Sequence, residues 1–206
     1  MKYGFLPKIM WTAYKSSFKQ HLTKTLKEAD ASATMNNAHK KYKEIILNLP
    51  QFDKGDRFIV NILSCAMLSS ILLSVKNKYS VEEIRKYYRN AMCENLMTKF
   101  ASKKSKSYTV KGREKLKQQA KQSEKINNPY SWKFSVEDGE TINKYTAYFY
   151  SCGICRLMTE LGLSEYIPAM CSLDYDMAKL NNTEFSREYT LASGGPYCDC
   201  HYNHNI

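Results

Sequence analysis

Apolar residues recur at helical spacing as far as about residue 126 and then switch to strict alternation, and this change of period divides the chain. Between residues 8 and 29, Ile9, Trp11, Tyr14, Phe18, Leu22 and Leu26 share one side of a helix, with lysines opposite. That pattern predicts an amphipathic helix packed by one face. Thr34 or Asn36 is placed to cap a second helix, which Pro50 stops after Leu49. Asp53-Lys54-Gly55-Asp56 reads as a turn, with Asp56 as N-cap of an apolar helix over 58–75. Ser80 and Glu83 have capping-box spacing, so a fourth helix is expected from Val81 to about Phe100. A lysine- and serine-rich connection, Ala101 to Ser107, leads to a polar helix from Val110 to Ile126. With so few apolar positions that helix must lie on the surface or reach across to a second copy, as in a homodimer. Asn127-Asn128-Pro129 closes the helical half.

From Trp132 the period is two. Trp132, Phe134 and Val136 alternate with Lys133, Ser135 and Glu137, Asp138-Gly139-Glu140 turns the chain, and Ile142 to Tyr150 returns as a second strand. A short helix, Arg156 to Leu161, is stopped by Gly162. Ser164 caps the next helix, which tolerates Pro168 early and puts Cys171 and Asp174 on one face. Two alternating runs around Gly194-Gly195-Pro196 form a last hairpin, with Phe185, Arg187, Tyr189 and Leu191 on one face of its first arm. The expected fold is α+β. One domain, 1–206, has a helical part, 1–128, packed on an antiparallel sheet of about four strands within 129–206.

The formal charge of +11 invites a polyanion, but the lysines alternate with Gln, Ser and Thr as on solvated helix faces, so no nucleic-acid partner is expected. The apolar run Phe58 to Val75 approaches membrane-spanning length, yet holds Asn61 and four serines and reads as a buried helix. Seven cysteines, scattered and odd in number, without an apolar leader before them, suit a reducing cytoplasm better than a disulfide frame. His21 and His39 fall on lysine-rich faces and read as exposed bystanders.

Reactive side chains concentrate in Glu184 to Tyr202. Cys198, Cys171 and Cys152 are candidate nucleophiles, Cys152 because it stands at a strand-to-helix junction whose free N–H groups favour a thiolate. Strand alternation puts Asp199 and His201 opposite Cys198, so these two serve as an acid/base pair only if the nucleophile lies elsewhere or is water. Arg187 offers a planar fork to a substrate carboxylate, or pairs with Glu184, Glu188 or Asp174. Glu160 and Asp174 could hold an amino or amidine group, and Gly194-Gly195 could cradle an anion if its amides face a pocket. Cys152, Cys155, Cys198 and Cys200, with His201 or His204, make structural zinc a minority alternative to having no cofactor. No phosphate-cradling glycine loop and no serine elbow is present.

The residues Arg187, Thr190, Leu191, Gly194, Gly195, Cys198, Asp199 and His201 together resemble the closing motif of the L-2-amino-thiazoline-4-carboxylic acid hydrolase family, a likeness that reaches back through Cys152 and Cys171-x-x-Asp174. Cys200 departs from it, since the family has an aromatic residue after the Cys-Asp pair. The resemblance implies a small-molecule hydrolase that opens a 2-aminothiazoline carboxylate to a carbamoyl-cysteine. In that reading Cys198, Cys171, Cys152 or a water activated by Asp174 attacks the amidine carbon, His201 or Asp199 gives the leaving nitrogen its proton, and Arg187 fixes the carboxylate. The rival is a non-catalytic sensor whose cup is formed by Tyr145, Tyr148, Phe149, Tyr150 and Tyr189.

Overall fold

The computed structural model describes residues 1–102 and 106–205. Helix α1, Phe5–Lys24, and helix α2, Ala31–Asn48, lie side by side and both contact α3, Ile59–Leu72, with Trp11, Phe18, Leu22, Tyr42 and Ile46 buried. The second helix is capped by Asp30, whose Oδ1 accepts from the Ala33 amide at 2.9 Å, so Thr34 sits inside the helix and is buried. Asp56 accepts from the Phe58 amide at 2.9 Å and from the Ser131 hydroxyl at 2.6 Å, which fixes the entry to α3 against the second half of the chain. Within α3 every residue from Ile62 to Ile71 is buried, as the apolar run predicts. Among the described residues no helix is long and apolar enough to cross a membrane.

Helix α4, Val81–Cys93, begins on the expected capping box: the Ser80 hydroxyl accepts from the Glu83 amide, and Glu83 accepts from the Ser80 amide at 2.8 Å. It ends sooner than its pattern predicts. Asn95 donates to the Ala13 carbonyl at 3.0 Å and accepts from the Met97 amide at 2.9 Å, which starts a separate helix, α5, Leu96–Ser102. The expected connection from Ala101 to Ser107 lies partly outside the described residues. Helix α6, Val110–Ser123, packs on the sheet rather than reaching outward. Its Arg113 donates to Asp138 Oδ1 at 3.0 Å and to the carbonyls of Ile142, Lys144 and Ser107, and lies 4.3 Å from the Tyr145 ring centre.

The sheet has the order β1-β2-β4-β3, all antiparallel, with β1 at Phe134–Asp138, β2 at Lys144–Phe149, β3 at Thr183–Ser186 and β4 at Cys198–His204. The register pairs Phe134 with Phe149 and Phe149 with Cys198, Ala147 with Cys200, and Tyr145 with Tyr202. These side chains form the inner face. Phe58 stacks on Trp132 at 4.9 Å and meets Phe134 edge-on at 5.4 Å, joining the start of α3 to that face. Helix α7, Gly153–Glu160, is capped by Cys152 and starts three residues before the predicted position. The single helix expected after Ser164 is a short 3₁₀ turn followed by α8, Ile167–Cys171, and α9, Leu173–Leu180, broken at Ser172.

The first arm of the last hairpin stays in the sheet only to Ser186. Beyond it, the backbone amides of Glu188, at 3.1 Å, and Tyr189, at 2.6 Å, donate to the Asp199 carboxylate, pulling the chain off the ladder. Burial works to raise the Asp199 pKa, but those two amides and His201 outweigh it and hold the carboxyl below its ordinary range.

Two outcomes follow. A Cβ on Gly153 would stand 1.9 Å from the Tyr130 carbonyl oxygen and 2.8 Å from Ile62 Cδ1. Gly153→Ala should therefore cost about 2–3 kcal/mol in urea denaturation. The stabilisation from Asp199 is fully present above the unfolded carboxylate value of about 4 and is lost as pH falls through its own lower value. The Tm difference between wild type and Asp199→Asn should accordingly be largest near neutrality and shrink in acid.

Candidate functional site

Asp174 enters in the first turn of α9, where a carboxylate complements the helix dipole. Its Oδ2 accepts from Arg187 Nη1 at 2.9 Å, and Arg187 Nη2 donates to the Cys171 carbonyl at 2.7 Å. The guanidinium also lies 5.3 Å from the Tyr175 ring centre and 5.5 Å from that of Phe185. Its side chain is only 8% exposed, so the fork expected to meet a substrate carboxylate is committed to Asp174 and the α8 terminus instead. Burial would lower the Arg187 pKa, but Asp174 reverses that and the group is held above its ordinary value.

Asp174 itself is 51% exposed although protein surrounds it, because it opens into a hollow of about 270 Å³ between helices. Burial raises its pKa, and Arg187 opposes the rise without cancelling it. Four methionines, Met10, Met92, Met170 and Met177, wall the hollow together with Val60 and Ile154. Its polar groups are few. Ser64 and Tyr88 share a hydrogen bond of 2.6 Å, Tyr14 and Thr98 one of 3.0 Å, and the Asn61 amide has no partner among the described residues. Sequence reasoning used Asn61 and Ser64 only to argue against a membrane span. Their i, i+3 spacing on a largely apolar helix was the available signal for a polar spot on the wall of the hollow. Tyr14, Tyr88 and Thr98 carried none.

The thiols lie behind this pair. Cys171 is pushed up to about 12 by burial and then by Asp174; Cys200, 3% exposed, reaches about 12 for the same first reason. Burial also raises Cys198, although the Leu191 amide donates to its sulfur at 3.2 Å. Cys152 caps α7 and accepts from the Cys155 amide at 3.5 Å, as its junction position predicts. Its pKa nevertheless moves the opposite way from the expected thiolate, raised by the Cys155 thiol and by burial. Cys152, Cys171, Cys198 and Cys200 feel either Asp174, Arg187 or one another, so the fold does gather them. No cysteine is among the described residues that line the hollow.

The other predicted residues stand apart. Asp199 and His201 point to the outer face of the sheet, where His201 Nε2 is 3.0 Å from Asp199 Oδ2 and Nδ1 is 2.8 Å from Thr146 Oγ1. The sheet separates them from the thiols and from Asp174. The Gly194 amide donates to Leu191 and the Gly195 amide to Thr190, so both are consumed by the turn and cradle no anion; Gly194, at φ 81°, supplies the left-handed corner. Glu160 is on the surface, paired with Arg156 at 2.9 Å and hydrogen-bonded by Tyr130. Among the described residues no three His, Cys, Asp or Glu side chains are grouped to hold a metal ion. His21 is buried against Glu94 at 3.1 Å and His39 is half-buried on Trp11, so neither is an exposed bystander.

The model of the L-2-amino-thiazoline-4-carboxylic acid hydrolase family matches residues 60–202. Searches of curated proteins and of solved structures returned no match. The matched segment opens at Val60 and closes at Tyr202; it spans Asn61, Ser64, the thiols, Asp174 and Arg187, and leaves α1, α2 and the α2–α3 connection outside. With more than half of its length matched, the chain belongs to the L-2-amino-thiazoline-4-carboxylic acid hydrolase family.

Proposed function

We propose that the chain is a hydrolase of a small cyclic amidine of the 2-aminothiazoline-carboxylate kind, working through a water activated by Asp174 rather than through a thiolate. The observation that carries this reading is one carboxylate, raised in pKa and backed by a covered arginine, facing a hollow large enough for a single small ring. The amidine would lie against Asp174. As water adds to the amidine carbon, Asp174 takes one of its protons. Collapse of the tetrahedral adduct forms the carbonyl and breaks the bond to the ring nitrogen; the proton held by Asp174 and the adduct's own hydroxyl proton both end on that nitrogen, which becomes a free amine while the carbamoyl group stays on the cysteine sulfur. Asn61 and the Tyr14–Thr98 pair would receive the substrate carboxylate. Arg187 acts on Asp174, holding its orientation.

A neutral thiol is a poor nucleophile, and Cys171, Cys198 and Cys152 are all shifted toward the neutral form. The four methionines favour a second reading, in which the same hollow holds an apolar ligand without turning it over.

Asp174→Asn should lower ring opening by about 10²–10⁴-fold, while Cys171→Ser and Cys198→Ser keep most of the activity, measured by chromatography of the carbamoyl product. The reverse ranking would restore the thiolate route, and absence of product from the wild type would leave the binding role. Because the base must be ionised, kcat/KM should fall as pH drops through the raised Asp174 value. Arg187→Ala removes the charge that opposes this rise, so it should move that acidic limb to higher pH and lower kcat more than it alters KM.

A further inference from the structure

A second hollow, of about 660 Å³, lies between α1 and α2, ahead of the first residue that the family model matches. Lys8, Thr12, Lys15 and Lys19 line it from α1. Their spacing keeps them on one helix face, and Ser32, Asn36, His39 and Lys43 repeat the arrangement on α2. The two faces thus meet across a groove whose rim is ammonium groups and whose remaining polar lining is hydroxyl and amide. Among the described residues that line it there is no carboxylate. The ion pairs of Lys78, Lys117 and Lys144 lie elsewhere. Nine lysines stand against three acids in residues 1–49, so this part of the chain carries an excess of positive charge.

The floor of the groove is aromatic. His39 stacks on Trp11 with ring centres 4.5 Å apart, and its Nε2 is 3.0 Å from the Tyr3 hydroxyl. Lys43 lies 5.6 Å from the Tyr3 ring centre. Burial lowers the His39 pKa, and Lys43 and Lys15 lower it further, which marks a positive potential at the floor.

We propose that this groove is a binding site for a soluble oligophosphate, a molecule carrying two or three adjacent phosphates, separate from the Asp174 hollow. Four ammonium groups around a space of this size suit a ligand with several charges spread over its length, and lysine serves phosphate as a point charge without the fixed geometry that carboxylate recognition draws from arginine. Like-charged side chains without acids are mutually repelled in the empty groove, and a bound polyanion relieves that repulsion.

The test uses the full chain, inorganic tripolyphosphate as the probe and the His39 imidazole proton as the reporter, assigned by its loss in His39→Gln. Tripolyphosphate should bind more tightly at low than at high salt and raise the His39 pKa, because an anion offsets Lys43 and Lys15. Lys15→Gln/Lys43→Gln, two exposed positions, should weaken binding at least tenfold and leave ring-opening activity unchanged. An unmoved His39 titration at millimolar tripolyphosphate would overturn the proposal, as would equal affinity in the double variant. Tight binding of single-stranded RNA or of anionic vesicles that tripolyphosphate fails to displace would also overturn it, in favour of a macromolecular partner.

Discussion

A guanidinium with almost no exposed surface must find its counter-charge inside the protein, and in this fold Arg187 finds it at Asp174. That one pair fixes three elements that are separate in sequence. It ties the loop after β3 to the start of α9 through the carboxylate and to the end of α8 through the Cys171 carbonyl. Aromatic rings of Tyr175 and Phe185 close the remaining sides. The break at Ser172 makes sense in these terms. A continuous helix would occupy the Cys171 carbonyl in its own ladder, whereas the break leaves that oxygen free for the arginine. The pair also orients a carboxylate at the mouth of the apolar hollow, where a lone charge would otherwise be costly.

The sheet imposes the second constraint. Residues adjacent in the closing motif alternate between its faces, so Cys198 and Cys200 pack inward while Asp199 and His201 look outward. A run that reads as one dense chemical site is therefore two half-sites back to back. The outward half does local work: Asp199 gathers two backbone amides and thereby sets the path of the segment that delivers Arg187 to the inward half. Neighbouring motif residues are joined through this backbone.

The features legible in the sequence are those decided within a few residues. The Ser80–Glu83 box, the apolar helix after Asp56, the Asp138-Gly139-Glu140 turn and the four-stranded antiparallel sheet all emerge as expected from local pattern. What escaped was decided at long range. Helix α4 stops because Asn95 reaches back to Ala13, and β3 stops because Asp199 reaches across from β4. Neither partner is within ten residues of the break it causes except through the fold. Asp174 and Arg187 form a pair, but the hollow that Asp174 faces is built largely by α1, α3 and α4, whose contribution has no local signature. Cys152 illustrates the limit well: its place at a strand-to-helix junction was readable, whereas the burial and the Cys155 thiol that reverse its ionisation were not.

The state of the thiols has a consequence for the life of the molecule. Cys65, Cys93, Cys152, Cys171, Cys198 and Cys200 are all held above the ordinary thiol range, by burial in every case but Cys152, where the neighbouring Cys155 thiol leads. Peroxides and electrophiles attack the ionised sulfur, so a chain unusually rich in cysteine gains chemical durability from the same packing that assembles its core.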